Sequence, residues 1–397
     1  MTITKNKMLL LIAALPMLAS AQEFAPAAPS STKAANFDVL RGNAYAAGAF
    51  GNMASSFTVG DYLAWPHLMG GQKFLYVEPT AESGTVAVPF SGKTAFLNLQ
   101  NGTGGALGVT TIGLAATDSW GASLSVGKDK VITSTDPINA NNNTTETVTA
   151  EGDVIGANVS MKTGGNAVSL SAKWETAQDE TGTTQENGNY QQDNFYSLIV
   201  AANYSNFPSA QGLVWNAGVT FDRYNLSHEV KAANTTTLTL DPDCRTQVRV
   251  AFNMGQKVLS NSKSRVLLGL DNTLVLTTAD EITNTRTSAY AVDLLVAPNL
   301  VGEYSFTEKW MAFGGARHSI EPIGLAASTN GPAAAKTDVT ALTFLTSTTT
   351  ATIGTRFTYE SFAAEAALSD ALFSNGPSVL FTDAHDLLIT FGAFLNF

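Results

Sequence analysis

The chain has 397 residues, of which 14% are charged, and its formal net charge is −11 at pH 7. This charged fraction lies well below the roughly 25% of soluble domains, which argues against an ordinary water-exposed surface. The acidic balance excludes a general nucleic-acid-binding role, and the single cysteine, Cys244, excludes an intrachain disulfide.

Residues 1–21 have the pattern of a secretory signal peptide. A positively charged start and an apolar run at residues 8–18 precede Ala19-Ser20-Ala21, which matches an A-x-A cleavage site. Its removal also removes two lysines and leaves 20 basic and 33 acidic residues, a net charge of −13. Residues 22–36 are rich in Ala, Pro and Ser, and we expect them to be a linker.

From about residue 73 onward, segments of alternating hydrophobicity are separated by turn-rich breaks. A period of two places alternate residues on one side of a strand. In one segment the apolar side begins at Tyr196, passes through Val200 and ends at Tyr204. Aromatic residues on both sides of an aliphatic centre are typical of the two interfacial girdles of a membrane barrel. A soluble β-sandwich would also alternate, but it tends to place its bulk in the middle.

The fold class predicted for residues 71–397 is all-β, a transmembrane antiparallel β-barrel. About 325 residues, at roughly 23–27 per strand plus connection, predict ~12–14 strands, an even number as in bacterial barrels. The polar stretches at residues 133–149, 178–193 and 231–243 are too long for tight hairpins and are predicted to be extracellular loops. Residues 304–310, with an aromatic at each end, are predicted to form a tight periplasmic turn.

The last eleven positions, residues 387–397, alternate up to a terminal aromatic. Phe391, Leu395 and Phe397 fall on one face, with Phe394 as an imperfection on the other. This pattern resembles the C-terminal signature by which bacterial outer-membrane barrels are recognised. We therefore expect the cell outer membrane as the location, outer-membrane lipid as the surroundings, and the barrel-assembly machinery as a partner of this strand.

Residues 37–70 do not alternate and are rich in small residues. The sequence GNAYAAGA at residues 42–49 resembles the opening of outer-membrane transporters of the long-chain fatty-acid and hydrocarbon family, where such a segment folds inside the barrel as a hatch. Trp65-Pro66-His67 stands where that family has Asn-Pro-Ala, so its ligand-pocket residues are not carried over. The resemblance implies a small N-terminal luminal plug. Its predicted aromatic members are Tyr45, Phe50, Phe57, Tyr62 and Trp65. The alternative is a periplasmic extension without a gating role.

No catalytic or metal-binding constellation is found in the sequence. The four histidines are distant from one another and lack metal-ligand spacing. The adjacent pair His318 and Ser319 would point to opposite faces of a strand, so it cannot form a dyad without a bulge. We therefore expect no enzymatic activity, no metal and no cofactor.

Charged residues at the polar positions of the strands are predicted to line the lumen, because an Arg or Lys facing mid-bilayer costs ~2–4 kcal/mol. If they are paired, they hold a plugged barrel rigid; if they are unpaired, they select the permeating solute. The sequence does not decide between these two possibilities. The predicted lumen-lining residues are Lys162, Lys173, Arg249, Arg265, Asp271, Asp293, Arg356 and Glu365.

Together these features predict an outer-membrane channel for passive uptake of small solutes, with hydrophobic or amphiphilic solutes among the candidates, gated by an N-terminal hatch. The partner would be a small-molecule solute and not a nucleic acid. The alternative is a structural or surface-interaction barrel without transport, in which the loops perform the function.

Overall fold

The computed structural model describes residues 40–41, 58–101, 108–117, 119–137, 145–181, 190–206, 213–232, 235–282, 286–330, 337–343, 346–374 and 388–397. The predicted signal peptide and linker, and the hatch residues Tyr45, Phe50 and Phe57, lie outside them. No helix within these ranges is long and apolar enough to cross a membrane.

Antiparallel strands form almost all of the described chain. One short helix, α1 (Val59–Ala64), and 3₁₀ turns at Pro66–Met69 and Pro79–Ala81 are the helical elements of these ranges. The strands are β1 (Phe74–Glu78), β2 (Ser83–Phe90), β3 (Lys93–Gln100), β4 (Gly108–Ala115), β5 (Trp120–Pro137), β6 (Thr145–Thr163), β7 (Asn166–Thr181), β8 (Tyr190–Ser205), β9 (Leu213–Ala232), β10 (Thr235–Ser260), β11 (Ser264–Ile282), β12 (Arg286–Ser305), β13 (Trp310–Asn330), β14 (Thr337–Thr343), β15 (Thr346–Tyr359), β16 (Phe362–Ser374) and β17 (Leu388–Asn396).

The sheet closes on itself. Apart from β14 and β15, which both pair with β13, each strand pairs with its neighbours in sequence, and β1 pairs with both β2 and β17. Strands β14 and β15 pair with the two ends of β13 and therefore share one position, so the barrel has 16 strand positions. Closure satisfies the backbone groups that an open edge would expose to lipid. The predicted fold class is confirmed.

The number of strands was predicted too low, and for a definite reason. The polar stretches expected to be loops continue as strands: residues 133–137 pair with 145–149, and residues 178–181 pair with 191–194. Residues 235–243 likewise begin β10. These stretches are rich in Thr, which favours strands, and the antiparallel partner supplies their backbone hydrogen bonds beyond the membrane. The loop prediction is wrong for most of their described length, and each strand with its connection takes fewer residues than expected.

The two faces of the barrel wall differ as a membrane barrel requires. On β6, Ile155 is 60% exposed whereas Ser160 is 1% exposed. Large apolar side chains cover the outer face, and the barrel fits an outer-membrane barrel. Exposed members of this outer set are Ile112, Leu124, Val126, Ile155, Val159, Leu170, Val200, Val219, Val250, Leu268, Ile353 and Ile389.

Short turns join the strands at one end, which we call the short-turn end. They include residues 91–92, 164–165, 261–263, 306–309 and 360–361. The turn at residues 306–309 confirms the tight turn predicted within residues 304–310. Exposed aromatics cluster at this end, and Trp310 and Phe357 have ring centroids 4.8 Å apart.

We predict that Val200→Arg weakens folding into a bilayer by ~2–4 kcal/mol, because Val200 lies on the apolar outer face. The matched control is Ala201→Arg, the next residue of β8, whose side chain points into the lumen. Urea titration of the barrel in lipid vesicles measures the free energy of unfolding of both variants. Equal losses would contradict the assignment of the two faces.

Candidate functional site

The described N-terminal residues 40–41 and 58–71 lie inside the barrel, and we call them the luminal segment. Thr58 caps α1: the Asp61 N–H donates to Thr58 Oγ1 at 3.2 Å, while the Thr58 N–H donates to Asp61 Oδ2 at 2.8 Å. This reciprocal capping box fixes the start of a six-residue helix that is too short to be stable alone. Burial raises the pKa of the Asp61 carboxyl, and the hydrogen bonds that the Thr58 N–H and the Thr58 hydroxyl donate to Asp61 Oδ2 act in the opposite direction.

One side of the luminal segment is hydrogen-bonded to strands β6 and β7. Asn158 Nδ2 donates to the carbonyl oxygens of Leu63 at 3.1 Å and Ala64 at 2.9 Å. Ser169 Oγ donates to Ala64 O at 3.1 Å, and the His67 N–H donates to Ser160 Oγ at 2.9 Å. These side chains satisfy carbonyl groups at the end of α1 that have no partner within the helix.

A glycine allows the segment to lie directly on the wall. A Cβ at Gly121 of β5 would meet backbone atoms of Pro66 and His67 at 2.3–2.5 Å. No larger residue fits there without moving the segment, because the obstructing atoms are backbone. The 3₁₀ turn is therefore packed against β5 at main-chain distance.

The other side of the luminal segment carries Arg41, whose side chain is fully buried against the facing wall. Its carbonyl accepts the Val59 N–H at 3.0 Å, which ties it to the start of α1. Its Nη2 donates to Glu303 Oε1 of β12 at 3.0 Å, and its Nη1 lies 3.6 Å from Glu365 Oε1 of β16.

Arg41 completes a buried cluster of five charges, which we call the ion cluster. Arg265 Nε is 2.5 Å from Glu303 Oε2, and Arg356 donates to Glu365. The wall thus contributes two arginines and two glutamates, and Arg41 is a fifth charge that contacts both carboxylates. Among these five residues the net charge is +1 with the segment docked and zero without Arg41.

The two attachment sites lie on opposite sides of the barrel. In a ring of 16 positions, β6 is eight positions from β15, and β7 is eight positions from β16. The segment is held by β6 and β7 on one side, and by Glu365 of β16 and a hydrogen bond from Arg356 of β15 to Leu40 O at 3.0 Å on the other. It therefore crosses the lumen.

Apolar side chains fill the space between these polar attachments. Tyr62 and Met69 pack with Phe74, Tyr76 and Phe394 in one buried cluster. This explains why Phe394 breaks the outward alternation of the last strand: it points into the lumen, with its ring centroid 4.6 Å from that of Tyr76. It also lies 5.4 Å from the guanidinium carbon of Arg356, so the ion cluster and the apolar cluster are in contact.

The eight predicted lumen-lining residues all occupy inward positions of the strands, but only three belong to the ion cluster: Arg265, Arg356 and Glu365. Asp271 pairs with Arg317 at 3.4 Å. Lys173 pairs with Glu175, and Arg249 donates to Gln247 at 3.2 Å. Asp293 and Lys162 lie away from the cluster. That any of them lines a solute path stays a prediction.

Of the predicted hatch residues within the described ranges, Tyr62 and Trp65 are both buried. In the predicted assembly signal, Phe391 and Leu395 are exposed on the outer face, and Phe397 follows β17 with its N–H 3.5 Å from Lys73 O. Its role in assembly stays a prediction.

The sequence reasoning missed Arg41, Glu303 and Arg317. Arg41 could have been found, because it is the only Lys or Arg between residues 37 and 70. Glu303 could have been found because the alternation of β12 places it at an inward position, two residues before the strand ends at Ser305. His318 Nδ1 lies 2.8 Å from Thr349 Oγ1 of β15.

No protein-family model matches the sequence, and no match is found among curated proteins. Several solved structures are similar at low identity, among them the following three. The ferric yersiniabactin uptake receptor FyuA from Yersinia pestis matches with a TM-score of 0.41 and 10% identity, over 82% of this chain and 51% of the receptor. The toluene transporter TodX of Pseudomonas putida matches with a TM-score of 0.35 and 10% identity, over 81% of this chain and 87% of the transporter. OmpT of Vibrio cholerae matches with a TM-score of 0.36 and 11% identity, over 82% of this chain and 94% of OmpT. This chain spans about half the length of FyuA. The barrel fold is established by the chain's own strand pairing.

We predict that Gly121→Val displaces the 3₁₀ turn from β5, because the new side chain would overlap the backbone of Pro66 and His67. The reporter is Met69→Cys in a Cys244→Ser background, since Met69 is fully buried. Labelling of the assembled barrel by a hydrophilic maleimide should become roughly tenfold faster, equivalent to ~1.4 kcal/mol.

The matched control is Gly165→Val at the short-turn end, where an added Cβ meets nothing within 4 Å. It should leave the labelling rate of Met69→Cys unchanged. If Gly121→Val and Gly165→Val gave the same rate, the segment would not be packed on β5.

Proposed function

We propose that the protein is an outer-membrane channel for passive uptake of small solutes and that the luminal segment is its hatch. The observation that carries this proposal is the attachment of one segment to opposite walls of the barrel, through Asn158 and Ser169 on one side and the ion cluster on the other. A segment in that position lies across any path along the lumen.

The size of the barrel supports a channel. Barrels of 16–18 strands leave an aqueous passage, whereas about eight strands can be filled by wall side chains alone. With 16 positions, this barrel has a lumen that must be occupied by water or by an added element. The luminal segment is such an element, and its removal from the lumen would open the passage.

The charges of the ion cluster support reversible docking. A buried charge left without its partner is costly, typically about 3–5 kcal/mol. When Arg41 departs, Glu303 keeps Arg265 and Glu365 keeps Arg356, so the wall retains two complete pairs. The segment can therefore leave without stranding a charge in the wall, which is what a hatch requires and a permanent structural brace does not.

The polar side chains on the inward face of the wall favour polar or amphiphilic solutes as those that pass through the channel. The buried polar residues of this face include many hydroxyl and amide groups, which would hydrogen-bond a passing solute or its water. Members of this set are Ser123, Ser197, Asn253, Asn299, Thr352 and Ser369.

Planar-bilayer conductance tests this function. The wild-type protein should show low conductance, and Arg41→Gln should raise it or make openings frequent, because the segment loses its bonds to Glu303 and Glu365. Deletion of residues 37–70 should give a large, constantly open conductance from a correctly assembled barrel.

The matched control is Arg249→Gln, which removes the same charge from an inward position outside the ion cluster. It should leave the opening frequency as in the wild type. If the deletion variant assembles and conducts no more than the wild type, the segment does not close the lumen. If no variant conducts above background, the alternative of a structural barrel without transport is favoured.

A further inference from the structure

A second polar cluster lies on the inward wall, farther from the short-turn end than the ion cluster. It contains Asn253 of β10, Asp271 of β11, Asn299 of β12 and Arg317 of β13. The strand register brings them together, because Asn253 pairs with Asp271 and Asn299 pairs with Arg317. On β12, Asn299 is four residues from Glu303, roughly 13 Å along the strand at about 3.3 Å per residue.

Asn253, Asn299 and Arg317 each have one buried side-chain atom without a hydrogen-bond partner in the described part of the chain: Oδ1, Nδ2 and Nε, respectively. Arg317 Nε lies 3.4 Å from Asp271 Oδ2, an ion-pair distance without hydrogen-bond geometry. Asn253 and Asn299 are only 4% and 6% exposed. Buried polar groups in folded proteins nearly always have a partner, because leaving one unsatisfied costs free energy.

The backbone is shaped to hold this cluster. A Cβ at Gly269 of β11 would come within 2.2 Å of Asn299 Oδ1, so the Asn299 amide lies over a glycine. Alanine at this position would push the amide away from its place. The absence of a side chain at Gly269 therefore makes room for the Asn299 amide.

We propose that this cluster is a binding subsite for neutral, polyhydroxylated solutes such as sugars and polyols; this inference rests on the proposed channel function. The cluster offers acceptors, Asn253 Oδ1 and the Asp271 carboxylate, and two donors, Asn299 Nδ2 and Arg317 Nε. A hydroxyl group both donates and accepts, so adjacent hydroxyls can satisfy these groups. Because Asp271 neutralises Arg317, a solute that carries its own net charge gains no counter-charge there.

The location of this subsite gives it a role in the passage of solute through the lumen. It lies on β11 and β12, the same strands that carry Arg265 and Glu303 of the ion cluster. A solute held by Asn253 and Asn299 would be next to the path that opens when Arg41 leaves Glu303. The subsite would thus concentrate solute on the inner wall beside the hatch.

Equilibrium binding to the full chain in lipid nanodiscs tests the proposal, with maltose as the probe and glutamate and toluene as charged and apolar comparators. Maltose should bind saturably, and more tightly than either comparator. Asn299→Leu should weaken maltose binding by on the order of tenfold, as expected when a site built to hydrogen-bond a hydroxyl loses its partner.

Gly269→Ala is a second variant that changes no polar group and should weaken maltose binding several-fold by displacing Asn299. Its matched control is Gly218→Ala, where a Cβ would similarly meet Asn203 Oδ1 at 2.3 Å on strands β8 and β9. That control should leave maltose binding unchanged.

The proposal is overturned if maltose does not bind, if glutamate or toluene binds more tightly, or if Asn299→Leu and Gly269→Ala both bind maltose as the wild type does. In those cases water satisfies the three atoms. Conductance is measured separately, so a barrel that conducts but binds no maltose refutes the subsite while leaving the channel intact.

Discussion

A ring of 16 strands encloses more space than its own inward side chains can fill, and the rest of the structure depends on how that space is occupied. In this barrel the luminal segment crosses it near the short-turn end. Hydrogen bonds with Asn158, Ser160 and Ser169 hold one side, and Arg41 holds the other. The small side chains of the wall, above all Gly121, let the backbone of the segment approach closely enough to be held.

The ion cluster combines strong attachment with the possibility of release. Buried ion pairs stabilise a protein little in themselves, because desolvation offsets much of the attraction, but they specify which groups must meet. Here Arg41 is the one member contributed by the segment, and the wall is charge-balanced without it. The contact of Arg356 with Phe394 joins this cluster to the apolar packing under α1. Docking of the segment therefore draws on both charge and apolar contacts.

The alternation of strands such as β8 was sufficient to predict the barrel and its two faces, because period-two patterns depend on local sequence alone. The strand count and the loops could not be predicted as well. Thr-rich stretches such as residues 235–240, which were predicted to be loop, are paired with the neighbouring strand, and this extension depends on the partner. The inward positions of Arg265, Arg356 and Glu365 followed from the same alternation. Their meeting with Arg41 did not, because residues 262 positions apart in sequence, such as Arg41 and Glu303, are brought together only by closure of the ring.

The central claim is that the luminal segment closes the lumen while it is docked. The most direct measurement is the single-channel conductance of a variant carrying Ala64→Cys and Ser169→Cys in a Cys244→Ser background, since Ser169 donates to Ala64 O at 3.1 Å. Cross-linking these two positions with a short bifunctional reagent should hold the segment in place. The cross-linked protein should stay closed even when Arg41→Gln is added, whereas the same protein without the cross-link should open. Full conductance through the cross-linked barrel would contradict the claim.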